Sequence, residues 1–160
     1  MNFMETVEIK RILLPTDFSP CCRIAMNYAC ALAEKFNAEL HLLHVFEEYT
    51  GSTYVPGVPL PPSHSRIEEQ KQKVATLLVE LIDASWQADH RIVRATSEGH
   101  PFVEIIRYAS DNAIDLIVMG THGRTGIPHL LMGSVAENVV RKSPCPVLTV
   151  RPTGHQFSMS

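Results

Sequence analysis

A chain of 160 residues with 45% hydrophobic and 19% charged positions carries enough apolar side chain for a core that needs neither disulfide nor metal. Its formal charge of -3 excludes a broad basic face, and with it nucleic acid as a main partner. No segment has the roughly 20 apolar residues of a membrane helix, and MNFMETVEIKR has neither the apolar run nor the cleavage site of a signal peptide, so the expectation is one cytoplasmic domain over residues 1–160, with its core at about 8–151.

Strand and helix patterns alternate along the chain, which predicts parallel strands joined by crossover helices. The first strand is RILLPT (11–16), apolar as a strand buried on both faces must be, and it closes at Asp17. Ser19 caps the following helix, and Pro20 occupies its first turn, where a missing N–H does no harm. Ile24, Tyr28, Leu32 and Phe36 recur every four residues and predict that helix's buried stripe. A second strand runs from Ala38 to Phe46. Residues 47–64, with Gly51, Pro56, Gly57, Pro59, Pro61 and Pro62, read as a long exposed loop. Ser65-x-x-Glu68 is read as a capping box for a second helix with an apolar face of Ile67, Val74, Leu78, Leu81 and Ile82. HRIVRATS (90–97) is a more polar strand, expected near a sheet edge. Gly99-His100-Pro101 opens a third helix with Phe102, Ile105, Ile106 and Ala109 facing inward. Residues 115–119 (DLIVM) form a fourth strand, and a last helix over 134–142 leads through Pro144 and Pro146 to a fifth strand, 147–150. Residues 152–160 have no periodicity and read as a frayed tail.

Four cysteines, Cys21, Cys22, Cys30 and Cys145, form no CxxC pair, and no His/Cys spacing suits a zinc site. Two readings of the neighbours Cys21 and Cys22 stand: small apolar fillers of a helix, or a vicinal redox switch. His41 and His44 lie three apart on a strand and point to opposite faces, so they cannot hold one metal together and read as structural.

The chemistry concentrates in GTHGRTGIPHLLMGS (120–134), which holds four of the eight glycines: Gly120, Gly123, Gly126 and Gly133. The segment leaves a buried strand and enters a helix. Glycines let the backbone approach an anion closely, successive N–H groups form an anion-binding nest, and the helix start adds unpaired N–H groups. One helix dipole contributes only about 0.3–2 kcal/mol, whereas micromolar binding requires about 8 kcal/mol. Several loop N–H groups, and contacts to the rest of a nucleotide, must supply the difference. The spacing is neither GxxxxGK[ST] nor GxGxxG.

Gly120-x2-Gly123-x9-Gly133-Ser134 resembles the signature of the ATP-binding branch of the universal stress protein family, and the likeness extends from KRILLPTDFS (10–19) to SPCPVLTVR (143–151). The resemblance implies an open, Rossmann-like α/β fold of the adenine nucleotide alpha hydrolase-like kind: one five-stranded parallel sheet of order 3-2-1-4-5 with helices on both faces. It also implies a set of ATP contacts. Asp17 would lie on the adenosine side with Pro15 and Thr16 beside it, the backbone of Val45 at the adenine, and Met119 and Gly120 flanking the ribose. His122, Gly123, Gly133, Ser134 and Val135 would wrap the phosphates. Arg124 is either within reach of phosphate or turned to solvent. Ser134-x-x-Glu137 also reads as a capping box, so the Ser134 hydroxyl has two possible duties, and Asp17 could cap the turn before the first helix.

The functional expectation is an ATP-binding regulatory switch in stress response, with Mg2+ accompanying the phosphates through water, at most slow hydrolysis, and no catalytic or metal-ligating residues assigned. The alternatives are a nucleotidyl-transfer or ATP-hydrolysing enzyme of the related adenosine-binding group, whose HxGH, KMSKS and SGGxDS motifs do not occur here, and an ATP-free interaction module. A homodimer through the apolar fifth strand, Val147 to Val150, is expected, since exposed apolar edges invite pairing.

Overall fold

The computed structural model describes residues 6–47, 64–122 and 132–151. Strands β1 (Arg11–Pro15), β2 (Glu39–Phe46), β3 (Ile92–Glu98), β4 (Leu116–Gly120) and β5 (Val147–Val150) form one sheet of order β3-β2-β1-β4-β5. Every pairing is parallel, with Ile12 beside both Leu40 and Leu116, and Gly120 beside Val150. The apolar runs of β1 and β4 occupy the middle, and the polar β3 lies at one edge, as its composition predicted. Asp115, expected inside β4, lies just before it. Its carboxylate accepts the N–H groups of Lys10 and Arg11 at 2.8 and 2.9 Å and so ties the entries of β1 and β4 together.

Alternation along the strands divides the core. Ile12, Leu14, Leu40, Leu42 and Val118 face helices α1 (Pro20–Phe36) and α2 (His64–Glu80), while Leu13, Leu43, Ile117 and Met119 face α4 (Pro101–Asp111) and α5 (Ser134–Lys142). His41 and His44 follow the same rule. His41 donates from Nε2 to Glu39 and meets the Tyr108 hydroxyl of α4 at Nδ1, both at 2.9 Å, whereas His44 lies on the α1 side.

Ser19 caps α1 as expected, its hydroxyl accepting the Cys22 N–H at 3.3 Å. The buried stripe of α1 is corrected in part: Ile24 and Leu32 pack half-buried against the core, as expected, but they are not its centre. Cys21, Cys22, Ala25, Ala29 and Ala33 line the sheet, while Tyr28 is 52% and Phe36 40% exposed. The Ile24–Phe36 row stands one residue, about 100°, around the helix from the Ala25–Ala33 row that faces the strands, so it lies on the flank of the contact. Small side chains instead let the helix backbone lie close to the strands. Both cysteines are packed, and burial pushes the Cys22 thiol up to about 11, although its Sγ contacts Thr16 Oγ1 at 3.0 Å. That is the setting of a core filler.

Helix α2 begins at His64, which makes Ser65 its second residue and removes the capping box. Val74, Leu78 and Ile82 are buried as predicted, but Ile67, on the helix's first turn, is 37% exposed. A short helix that the sequence reading missed, α3 (Ala84–Asp89), is capped by the Asp83 carboxylate on Ser85 N–H at 2.9 Å. Its Gln87 donates to the Val79 carbonyl, and Arg94 of β3 bonds both Leu78 O and Gln87 Oε1, so the end of α2 is satisfied from two elements. Trp86 of α3 packs on the α1–α2 core and stacks flat on His90, with centroids 3.8 Å apart. The expected tail at 152–160 and most of the loop at 47–64 lie outside the described residues; His64 already belongs to α2.

Candidate nucleotide site

Between β1 and β4 the strand order reverses, and crevices at such points, beyond the carboxyl ends of the strands, are where open α/β sheets take ligands. Pro15, Thr16 and Asp17 leave β1 there, and Met119, Gly120, Thr121 and His122 leave β4.

The exit of β1 is a tightly bonded turn. Thr16 N–H extends the ladder to Leu43 O at 2.8 Å, and Thr16 Oγ1 accepts Phe18 N–H at 3.0 Å. Asp17 Oδ1 accepts Ser19 N–H at 2.9 Å, so the turn-capping duty considered for Asp17 is real and occupies one carboxylate oxygen. Phe18 takes φ +63°, a left-handed conformation that a bulky residue adopts only when its surroundings impose it. The ring of His44 lies beside it, 5.0 Å from the Phe18 ring.

The exit of β4 is shaped by close approach. A Cβ on Gly120 would fall 2.7 Å from Cys21 Sγ and 3.3 Å from the Cys21 backbone, so only glycine lets the first turn of α1 settle over β4. Cys21 Sγ itself reaches the Val150 carbonyl at 3.8 Å. Thr121 is buried and bonds on both sides: its N–H donates to Val150 O at 3.0 Å, and its carbonyl accepts Gly133 N–H at 2.7 Å. That second bond brings the two ends of the glycine segment together. A Cβ on Gly133 would stand 3.2 Å from Thr121 O. The Thr121 hydroxyl lies 3.0 Å from His122 Nδ1 and fixes the imidazole.

Gly133 is the cap residue of α5 and Ser134 its first helical residue, so the Ser134-x-x-Glu137 capping box is corrected: the hydroxyl stands one position too late to cap. Ser134 is exposed, and Val135 half-buried against the α4–α5 core. Met119 is buried in that core and Val45 packs on it. The proposed contacts Gly123 and Arg124 lie outside the described residues.

The chain matches the universal stress protein family over residues 8–151. It belongs to that family. Among its relatives, universal stress protein MJ0577 of Methanocaldococcus jannaschii is 34% identical, the match covering 91% of this chain and 97% of that protein. A solved structure of universal stress protein UspA from Lactobacillus plantarum superposes with TM-score 0.72 at 25% identity, over 91% of this chain and 100% of that one. A universal stress protein solved in complex with cAMP shares the fold at TM-score 0.66 and 23% identity, over 89% and 97% of the two chains. This universal stress protein therefore has the doubly wound sheet that its glycine motif implied.

Two features escaped sequence reasoning, one at the site and one at the turn between β3 and α4. Thr121 sits inside the motif but matches none of its fixed positions, and only the fold reveals that its carbonyl anchors Gly133. Glu104, in the first turn of α4, drew no notice in the sequence, and it is 5% exposed. It pairs with Arg107 and accepts the Ser97 hydroxyl beneath Gly99, whose φ of +141° and space for a Cβ only 3.0 Å from Glu104 Oε1 both demand glycine. Among the described residues no three His, Cys, Asp or Glu side chains cluster in a way that could hold a metal ion, and no helix is long and apolar enough to cross a membrane.

Proposed function

We propose that the chain binds ATP at the β1–β4 crevice and works as a nucleotide-dependent regulatory switch in stress response. The observation that carries this reading is the glycine motif tied across its ends, with Gly133 N–H on Thr121 O, at the point where the strand order reverses. The cradle fits a phosphate chain in kind. Gly133 presents bare backbone where a Cβ would meet Thr121 O, and α5 starts immediately after it with the unpaired N–H groups of a helix terminus.

In this reading Gly133, Ser134 and Val135, together with His122, Gly123 and Arg124, hold the phosphates. Met119 and Gly120 flank the ribose, and Pro15, Thr16, Asp17 and the Val45 backbone take the adenosine side. Mg2+ accompanies the phosphates and neutralises their charge. The Ser134 hydroxyl, displaced from the cap position, is available to phosphate. The single-domain organisation over 1–160 and the cytoplasmic setting are part of the same proposal, as is a homodimer through β5. An edge strand with Leu148 36% exposed supports that pairing.

The test begins with protein denatured after purification and its released nucleotide identified by mass, followed by calorimetric titration of the emptied protein with MgATP. Asp17→Ala and Gly133→Ala variants are compared with the wild type. ATP or ADP in the wild type, with at least tenfold weaker binding in the variants, is the expected result. A wild-type protein that neither carries nor takes up adenine nucleotide would favour an interaction module, and turnover near the usual enzymatic rate of about 10 per second would favour an enzyme.

A further inference from the structure

We infer that His44 is a positioning residue for the nucleotide site, holding the β1 exit turn so that Asp17 is presented to the ligand. The inference rests on the nucleotide reading above, which assigns His44 no part.

His44 is 6% exposed and stands one residue before Val45 on β2, beside the end of β1. Its Nδ1 lies 2.8 Å from the carbonyl oxygen of Thr16. A carbonyl only accepts, so Nδ1 carries the proton and donates. The ring sits between two others: Phe18 at 5.0 Å with planes tilted 30°, and Phe46 at 5.0 Å edge-on. One imidazole thus grips the turn at two places, the carbonyl of Thr16 and the side chain of Phe18, and Asp17 lies between them.

The turn needs such a grip because part of it is strained. Phe18 at φ +63° costs on the order of 1–3 kcal/mol relative to a relaxed residue. Its N–H bond to Thr16 Oγ1, and the Ser19 N–H bond to Asp17 Oδ1, form only while that conformation holds. Release of the Phe18 ring and the Thr16 carbonyl lets the turn relax, and the Asp17 carboxylate then loses its fixed direction. The aromatic neighbours alone would be satisfied by any flat apolar side chain. The hydrogen bond to Thr16 is satisfied only by a donor at the Nδ1 position, and that difference separates positioning from packing.

Three variants and one wild-type measurement decide it. H44F keeps a ring and removes the donor. H44N places an amide N–H close to the position of Nδ1. H44L replaces H44F should the latter not fold. MgATP affinity is measured by calorimetry, stability by urea unfolding, and exchange of the Phe18 and Ser19 amides by hydrogen–deuterium exchange without nucleotide. The expected result for H44F is an affinity loss of about tenfold, the order of one lost hydrogen bond, with faster exchange at both amides. H44N should bind within about threefold of wild type. In the wild-type protein, nitrogen NMR should find the His44 proton on Nδ1. Equal losses in H44F and H44N, unchanged amide exchange in H44F, or a ring protonated only at Nε2 would overturn the inference while leaving the nucleotide reading intact. A wild-type protein without affinity for nucleotide overturns both.

Discussion

Replacing Gly120 by Ala offers a direct test of how α1 is seated on the sheet. Gly120 does not take a positive φ, so no backbone strain enters and the effect is one of space. The added Cβ would meet Cys21 Sγ at 2.7 Å and the Cys21 carbonyl carbon and oxygen at 3.3 Å. The sulfur cannot swing freely, because Cys21 is buried at the first turn of α1 and its Sγ already reaches Val150 O. Overpacking of this kind costs about 1–3 kcal/mol, and for a chain of this size about 2 kcal/mol lowers the melting temperature by roughly 4–8 °C. The decisive form is a double-mutant cycle with Cys21→Ala, followed by urea unfolding and read as ΔG. Cys21→Ala alone loses roughly 1 kcal/mol of burial. In the double variant the 2.7 Å clash is gone and only the 3.3 Å backbone contacts remain, so the two costs should fall short of their sum by at least about 1 kcal/mol. Additive costs, or a Gly120→Ala protein within about 0.3 kcal/mol of wild type, would refute this account of the glycine.

Burial holds the Cys22 thiol at about 11 against an ordinary 9.0, so the folded protein keeps that proton more tightly than the unfolded chain does. The resulting stabilisation is complete below pH 9 and disappears as pH rises through about 11. It is on the order of 2 kcal/mol, and the stability difference between wild type and Cys22→Ala, followed by urea unfolding from pH 8 to 11, should shrink across that window. Glu104→Ala strips the partner from Ser97 and Arg107 and should destabilise by about 1–3 kcal/mol, with Glu104→Gln costing less than half as much in the same assay because the Ser97 bond survives. Leu148→Lys charges the exposed edge strand and should convert a dimer to a monomer by light scattering, with stability shifted by no more than about 0.5 kcal/mol; a mass that stays dimeric would remove β5 from the interface.

Much of this architecture could be read from residue order because separate local signals agree. The apolar β1 and β4, the Ser19-Pro20 start of α1 and the 134–142 helix with its following prolines each specify an element without help from elsewhere. The error on α1 arose because side-chain size competes with periodicity. Tyr28 and Phe36 look like the buried face of α1 because they are large, but the sheet contact is built from Ala25, Ala29 and Ala33 because they are small. Ser65 and Ser134 satisfy a capping pattern in sequence, yet α2 starts two residues, and α5 one residue, earlier than that pattern requires. At the site, the fixed glycines were legible because close backbone approach leaves a compositional trace. Thr121, His44 and Glu104 act through one carbonyl, one ring nitrogen and one buried carboxylate, and those roles depend on neighbours 12, 28 and 7 residues away along the chain.

The stacked pair of Trp86 and His90 has a practical consequence at the bench. Trp86 is the sole indole of the chain, and it lies in α3, which leads into the edge strand β3, whereas the nucleotide crevice lies between β1 and β4. Its emission is an optical reporter for that rim of the sheet. A ligand filling the crevice can leave the signal unchanged, so a silent tryptophan in a titration is a statement about location rather than about binding.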